Sequence, residues 1–159
     1  MTIDINNESG ESADTAGLVS LARFVLDELR IHPLSELSIV LVDAQTMTSY
    51  HEKFMGEPGP TDVLSFPMDE LRAPSDGEEA PEGLLGDVVL CPTVTAAQAE
   101  EHGRTPDQEA EYLLVHGILH LLGHDHAEPE EKAEMFGLHH RLMDAWQQER
   151  DNRGGRAPQ

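Results

Sequence analysis

The stretch that decides the fold is Leu113-Leu114-Val115-His116-Gly117-Ile118-Leu119-His120-Leu121-Leu122-Gly123-His124-Asp125-His126. Up to Leu122 it is apolar nearly all round, which predicts a helix buried on every side. Upstream, Thr105 and Pro106 are typical of a helix start, and Gly123 is typical of a helix stop. The sequence therefore predicts a buried helix over 105–122.

Two histidines share one face of this predicted helix. His116 and His120 are four residues apart, so both imidazoles project from the same side, one turn from each other. Gly123 allows the chain to leave the helix in a left-handed conformation and double back, which can bring His126 to the same point. Three imidazoles with an open fourth position are typical of a catalytic zinc site, since a fourth protein ligand closes a structural one. We predict one Zn²⁺ per chain, held by these three histidines.

The histidine pair alone is a weak signal. The chain has nine histidines, and some pair at this spacing is expected by chance about half the time. Its buried setting makes the signal stronger, because two adjacent buried imidazoles need polar partners and one shared cation satisfies both. The single cysteine, Cys91, excludes a Cys-only zinc site and is expected in the core. Five other histidines lack a partner at ligand spacing and are expected at the surface: His32, His51, His102, His139 and His140.

The position after the first histidine decides between two reaction classes. The spacing from His116 to His126 matches the metzincin peptidases, which place a Glu general base directly after their first His. Here that position is Gly117, which has no side chain. A metal could still act as a Lewis acid towards a phosphoryl oxygen. The sequence therefore favours metal-assisted hydrolysis of a substrate other than a peptide.

Charge and composition narrow the class of protein. Ten Lys and Arg stand against 31 Asp and Glu, a formal net charge of −21, which repels polyanions and by itself disfavours nucleic acid as a partner.

The length and composition predict one globular domain over 1–148, followed by a polar tail over 149–159. The chain has neither an apolar run of the ~18 residues that span a membrane nor a signal-peptide start, so we expect a cytoplasmic protein without membrane contact.

Hydrophobic periodicity predicts an α+β fold: a small mixed four-stranded β-sheet covered by about five helices, with the metal site on a buried helix and the loop after it. The strand at 63–66 ends at Pro67, which favours an edge position. An acidic loop is expected over 67–83. The strands are predicted at 2–6, 37–42, 63–66 and 84–90, and the helices at 15–30, 43–55, 92–102, 105–122 and 129–147.

Three blocks of sequence resemble a known family. The histidine segment fits His-Gly-x-Leu-His-Leu-x-Gly-x-Asp-His, and two further blocks are Pro60-Thr61-Asp62-Val63-Leu64-Ser65-Phe66-Pro67 and Leu85-Gly86-Asp87-Val88-Val89-Leu90. Together, over about residues 36–146, they resemble the YbeY family of bacterial rRNA-maturation endoribonucleases. The resemblance implies a zinc-dependent, single-strand-specific endoribonuclease with His116, His120 and His126 as ligands. It also implies a cleft beside the edge strand.

The resemblance further implies a role in 16S rRNA 3′-end maturation and ribosome quality control. The expected partners are rRNA, the small ribosomal subunit and its assembly proteins, and no DNA is expected. Two positions depart from the family pattern. The family often has an Arg and then a Lys before its Pro-Thr block, and here these positions are Met55 and Glu57. Losing a cation there weakens stabilisation of phosphate charge. Lys53 is near enough in sequence to substitute.

Seven residues are candidates for contacts with the substrate or with the ligands: Lys53, Thr61, Asp62, Ser65, Asp87, His124 and Asp125. Those around the edge strand either touch substrate or shape the loop. Asp87 either lines the cleft, as the resemblance favours, or caps a turn. His124 is a spare ligand, a proton carrier or a solvent-exposed ring. Asp125 either orients an imidazole or forms a turn.

Two other functions stay open on sequence grounds. One is a ribosome-assembly factor with a structural zinc, which Met55 and the charge of −21 favour. The other is a metal-dependent hydrolase of another substrate, a degenerate relative of metallopeptidases. The general base, the cleavage site and the oligomeric state are not determined by the sequence.

Overall fold

The computed structural model describes residues 1–155, which form a four-stranded sheet and five helices. The α+β class, the four strands and the five helices of the sequence prediction are confirmed. In chain order the elements are β1 (Thr2–Asn7), α1 (Thr15–Glu28), β2 (Glu36–Leu41), α2 (Ala44–Met55), β3 (Val63–Pro67), β4 (Leu84–Leu90), α3 (Pro92–His102), α4 (Pro106–Leu121) and α5 (Pro129–Gly155).

The sheet is mixed, and β3 lies at one edge of it. The strand order is β1-β2-β4-β3, with β1, β2 and β4 parallel and β3 antiparallel to β4. The predicted edge position of the proline-bounded strand is confirmed. In the β3–β4 register, Ser65 pairs with Val88 and Phe66 pairs with Asp87. Since side chains alternate along a strand, these two pairs face opposite sides of the sheet.

The two faces of the sheet are covered unequally. One face packs against α1, α4 and α5 in a large apolar cluster that includes Val88, Ile118 and Leu119, all fully buried. The other face packs against α2 in a much smaller cluster that includes Leu64 and Val89. The large cluster therefore holds α4 against β3 and β4, which fixes the position of the histidine-bearing helix.

Local sequence explains both ends of α4. Thr105 caps the N-terminus: its hydroxyl accepts a hydrogen bond from the Gln108 amide at 3.1 Å, and the Gln108 side chain accepts one from the Thr105 amide at 2.9 Å. This reciprocal pair satisfies two otherwise unpaired donors. At the other end, Gly123 adopts a φ of +89°, a left-handed conformation that glycine adopts at little cost.

The last helix is longer than the sequence predicted. We expected it to end at 147, whereas α5 continues to Gly155. Side-chain contacts account for the extra turns: Arg153 pairs with Glu149 at 3.0 Å, and Arg150 pairs with Glu111 of α4 at 3.5 Å. Residues 149–155 of the expected tail are thus helical, residues 156–159 lie outside the described residues, and the division at 148 stays a prediction. No helix within 1–155 is long and apolar enough to cross a membrane.

Candidate metal centre

The structure brings three of the predicted histidines together. His116 and His120 project from the C-terminal half of α4, and His126 comes from the loop that follows it. One nitrogen from each ring lies within 4.8 Å of the other two, and the Nε2 atoms of His116 and His120 are 3.0 Å apart. These nitrogens therefore converge on one point, where a single metal ion could be held.

The turn after α4 places His126. The His124 amide donates to the Leu119 carbonyl at 3.0 Å, which closes the helix end around Gly123. The Asp125 carboxylate then accepts a hydrogen bond from the His126 amide at 2.7 Å. Of the two roles considered for Asp125, the structure shows the turn-forming one. His124 lines the same cleft and is half-buried, but it is not one of the three converging histidines.

The protonation state of the ligand rings suits a metal. Burial, together with the charges of His120 and His126, lowers the pKa of His116 to about 4. Burial also lowers the pKa of His120. These two rings are therefore neutral at pH 7, with lone pairs available to a cation. Three imidazoles with an open side match the donor set of catalytic zinc sites.

Packing explains why position 117 is glycine. A Cβ atom at Gly117 would lie 2.8 Å from Val88 Cγ1 and 3.2 Å from both Ser65 Oγ and Val63 Cγ2. The Ser65 hydroxyl donates to the Gly117 carbonyl at 2.8 Å, which joins β3 to α4. The side chain of a peptidase general base therefore has no room at this position. Ser65 also lines the cleft, as the sequence analysis suggested.

The histidines lie in a cleft of about 610 Å³ between β3, α2 and the loop after α4. The side chain of Asp62 lines it, and its Oδ1 accepts hydrogen bonds from the Val63 amide at 2.7 Å and the Thr61 hydroxyl at 3.3 Å. Thr61 thus shapes the start of β3, while Asp62 both shapes it and faces the cleft. The cleft is lined by Met55, Asp62, Val63, Leu64, Ser65, His116, His120, Gly123, His124, Asp125 and His126.

Neither Met55 nor Lys53 supplies a positive charge to the cleft. Met55, at the position of the family's Arg, lines the cleft and is 60% exposed. Lys53 is exposed, its ammonium lies 5.4 Å from the centre of the Phe54 ring, and it is absent from the cleft lining. The suggestion that Lys53 takes the place of the family Arg therefore gains no support from its position.

Asp87 lies elsewhere. It pairs with Phe66 across β3 and β4 and lines a separate groove of about 240 Å³ together with Tyr50, Phe54 and Val40. That groove is on the α2 face of the sheet, whereas Ser65 and Val88 face α4. The expectation that Asp87 lines the metal cleft is wrong, because its place in the strand register points it to the opposite face.

The sequence analysis missed a cation beside the metal loop. The Arg72 guanidinium packs directly on Gly123, where it would collide with any Cβ atom. Its Nη1 donates to the carbonyls of Glu70 and Leu71 at 3.1 Å. The acidic 67–83 loop is thereby held against the turn that carries His126. Its composition gave no sign of this contact.

The sequence analysis also missed His139, which it placed at the surface. His139 is 0% exposed, neither ring nitrogen has a hydrogen-bond partner within 1–155, and its ring centre lies 6.1 Å from that of His116 and 4.1 Å from that of Tyr112. Burial, together with the charges of His116 and His140, lowers its pKa to about 4. The available signal was a stripe at helical spacing, in which Met135, His139 and Leu142 recur at intervals of four and three.

Comparison with known proteins bears on this site. The family model "Endoribonuclease YbeY" matches residues 4–147. Among curated relatives, the Endoribonuclease YbeY of Cutibacterium acnes is 69% identical over 154 residues, covering 97% of this chain and 99% of the relative. That of Streptomyces coelicolor is 57% identical over 153 residues, covering 94% and 93%.

A solved structure supports the fold. The solution structure of TM1509 from Thermotoga maritima is 27% identical to this chain, with a TM-score of 0.61, and the match covers 95% of this chain and 93% of that one. The family model, the curated relatives and the solved structure each match nearly the whole chain. The chain belongs to the YbeY family of endoribonucleases.

Proposed function

We propose that this protein is a zinc-dependent, single-strand-specific endoribonuclease that acts in the cytoplasm, in 16S rRNA 3′-end maturation and ribosome quality control. The observation that carries the proposal is the convergence of His116, His120 and His126 at an open cleft. A closed site would need a fourth protein ligand. Within the described residues, only these three form such a cluster with one another.

The chemistry of the site fits phosphodiester hydrolysis. Zinc bound there supplies Lewis acidity towards a phosphoryl oxygen of the RNA backbone. The chain's own contribution is to keep His116 and His120 neutral through burial in α4 and to place His126 through the Asp125 turn. Gly117 cannot supply the base that peptidases use, and packing against Val88 leaves no room for one. This disfavours the peptidase alternative.

The charge of the chain indicates how RNA is bound. Phosphate contacts through Lys and Arg normally supply much of nucleic-acid affinity, and ten basic residues against 31 acidic ones provide no broad basic track. We therefore expect binding by a few local contacts, with a shallow salt slope of roughly one to three neutralised phosphates. We expect the small ribosomal subunit, through its rRNA and assembly proteins, to strengthen this binding.

Single-turnover cleavage tests the proposal. Zinc-loaded protein is incubated with a single-stranded RNA and with its duplex, beside a His116→Ala variant and a His140→Ala control on the exposed side of α5. We expect cleavage of the single strand alone, lost in His116→Ala and kept in the control. Metal-loaded protein that binds but never cleaves RNA would favour the assembly factor with a structural zinc.

The same assay tests the residue at the family's Arg position. Met55 lines the cleft and is 60% exposed, so a longer cationic side chain can reach into it. Met55→Arg should raise the cleavage rate by stabilising charge that develops on the phosphate. Met55→Gln, polar but uncharged, is the control. Equal rates for both variants would show that no catalytic cation is missing at this position.

A further inference from the structure

We propose that the metal cleft continues into a second compartment, between α3, α4 and α5, which binds one nucleobase of the RNA against Phe136. This inference rests on the proposed endoribonuclease function and adds to it a substrate subsite. The compartment has a volume of about 350 Å³. It is lined by Asp62, Val63, Gln98, Glu101, His102, Glu109, Tyr112, Leu113, His116 and Phe136.

The compartment is continuous with the metal cleft. Asp62, Val63 and His116 line both spaces. The centre of the Phe136 ring lies 6.4 Å from that of His116. A strand with its scissile phosphate at the histidines can therefore place an adjoining base beside Phe136.

Phe136 is the aromatic ring available to a base. Tyr112, the other phenyl-type ring of the compartment, is already occupied by two neighbours. Its ring centre lies 4.5 Å from Cζ of Arg104 and 4.1 Å from the centre of the His139 ring. Phe136 is half-buried, so it presents a fixed but partly exposed surface. Aromatic side chains bind single-stranded RNA by stacking, and every base has a face that can stack.

The charges favour a base over a phosphate inside the compartment. Glu109 is 1% exposed, and its carboxylate is already compensated by His102 at 3.0 Å and Arg104 at 3.1 Å. The carboxylates of Asp62 and Glu101 face the same space. They repel a phosphate but can accept hydrogen bonds from the amino groups of a neutral base.

The cation available to the backbone lies at the rim. The Lys132 ammonium is exposed and 6.0 Å from the centre of the Phe136 ring. It belongs to the turn of α5 before Phe136, outside the residues that line the compartment. A base stacked on Phe136 would thus have its own phosphate near Lys132, with the carboxylates on its other side.

The test combines a protein variant with an RNA variant. Phe136→Leu keeps apolar volume but removes the aromatic ring, and single abasic nucleotides are placed in turn at each position around the cleavage site. Phe136→Leu should raise the KM of the intact RNA about five- to tenfold, the lower end of the range for stacking, with little change in kcat. At one position, the abasic nucleotide should raise the KM of the parent by the same factor as Phe136→Leu does with intact RNA. With that abasic RNA, Phe136→Leu should raise the KM no further.

Two variants serve as controls. Phe136→Trp should restore the parent KM because it restores a stacking surface. Phe54→Leu removes an exposed aromatic ring from the groove on the other side of the sheet and should leave KM unchanged. Metal content and melting temperature of each variant are measured, so that a loss of the zinc site is not mistaken for a loss of stacking.

The outcomes separate this inference from the proposed function. If the parent cleaves RNA but the losses from Phe136→Leu and from every abasic position simply add, the base subsite is wrong and the nuclease function stands. If the parent does not cleave, the same pairs are compared by equilibrium binding of the RNA to zinc-loaded protein. Equal affinities of parent and Phe136→Leu would then overturn the subsite as well.

Discussion

Helices α4 and α5 both place histidines in or near the metal centre, but in different ways. In α4, residues on every side are buried, and its two histidines point at one spot with His126. Helix α5 is mostly exposed, apart from a stripe that includes Met135, His139, Leu142 and Trp146. Its buried histidine stacks on Tyr112 rather than joining the cluster.

The difference separates two settings for a histidine that is shielded from water. His116 and His120 are half-buried and can share a cation, which satisfies their nitrogens. His139 has the same lowered pKa, about 4, but no hydrogen-bond partner within the described residues. Convergence of nitrogens, rather than burial or a shifted pKa, therefore distinguishes the candidate metal ligands. Three comparisons of variants test this contrast between the two helices.

The largest effect is expected at the metal. His120→Ala should weaken zinc binding by roughly 100- to 1,000-fold, because four ligands share about 10–16 kcal/mol in structural zinc sites. His139→Leu should bind zinc nearly as well as the parent, because His139 is not one of the converging ligands. Competition with a chelator of known affinity measures both. Comparable losses in the two variants would mean that α5 supplies a ligand after all.

The next effect is the pH dependence of stability in the metal-free protein. The pKa of His139 is about 4 in the folded state and about 6.5 when unfolded. Between these values the unfolded state binds more protons, so the free energy of unfolding falls as the pH is lowered from 7 to 4. For a group as buried as His139, this amounts to about 3 kcal/mol at most.

His139→Leu isolates that contribution. His116 and His120 titrate in the same direction in both proteins, so the parent's loss of stability between pH 7 and pH 4 should exceed that of the variant. The variant should also be no less stable at pH 7, since it removes two buried nitrogens without partners. Urea unfolding with a metal chelator present measures this. Parallel stability curves would show that His139 has the same pKa in the folded and unfolded states.

The sequence predicted α4 and its ligands more fully than α5. A four-residue spacing inside an apolar helix and a glycine stop are local signals, and they sufficed for His116, His120 and His126. Position His139 is also on a periodic stripe, but the polar composition of α5 masked it, and its neighbour Tyr112 lies on another helix. Burial set by contacts between distant elements is not encoded in local spacing.

Two other outcomes show the same limit. The family resemblance favoured the metal cleft for Asp87, but the face that Asp87 occupies depends on the β3–β4 register. The sequence of the acidic loop did not single out Arg72, yet its guanidinium packs on Gly123. Both depend on which segments meet in three dimensions. The length of α5 was also underestimated, because one of the ion pairs in its last turns joins Arg150 to Glu111 of α4.

The third pair of variants compares a glycine within each helix, beginning with Gly117 in α4. Gly117→Ala adds a methyl group 2.8 Å from Val88 Cγ1, and a β-branched side chain on a central strand has little freedom to move away. Overpacking costs about 1–3 kcal/mol, less the ~1 kcal/mol that alanine gains in a helix. We expect a net loss of about 1 kcal/mol in the free energy of unfolding. A gain in stability would show that α4 can shift away from the sheet.

The smallest effect is expected at Gly137, the corresponding glycine of α5. A Cβ atom there would meet only Arg141 Nη1, at 3.8 Å, which is ordinary contact with a flexible side chain. Gly137→Ala should therefore stabilise the protein by roughly 0.5–1 kcal/mol, the helix propensity difference with no packing cost against it. Urea unfolding of both variants under the same conditions measures the two effects. We expect the free energy of unfolding to fall for Gly117→Ala and to rise for Gly137→Ala. If Gly137→Ala also destabilised the protein, α5 would be packed more tightly than its exposed surface indicates, and the contrast between the two helices would fail.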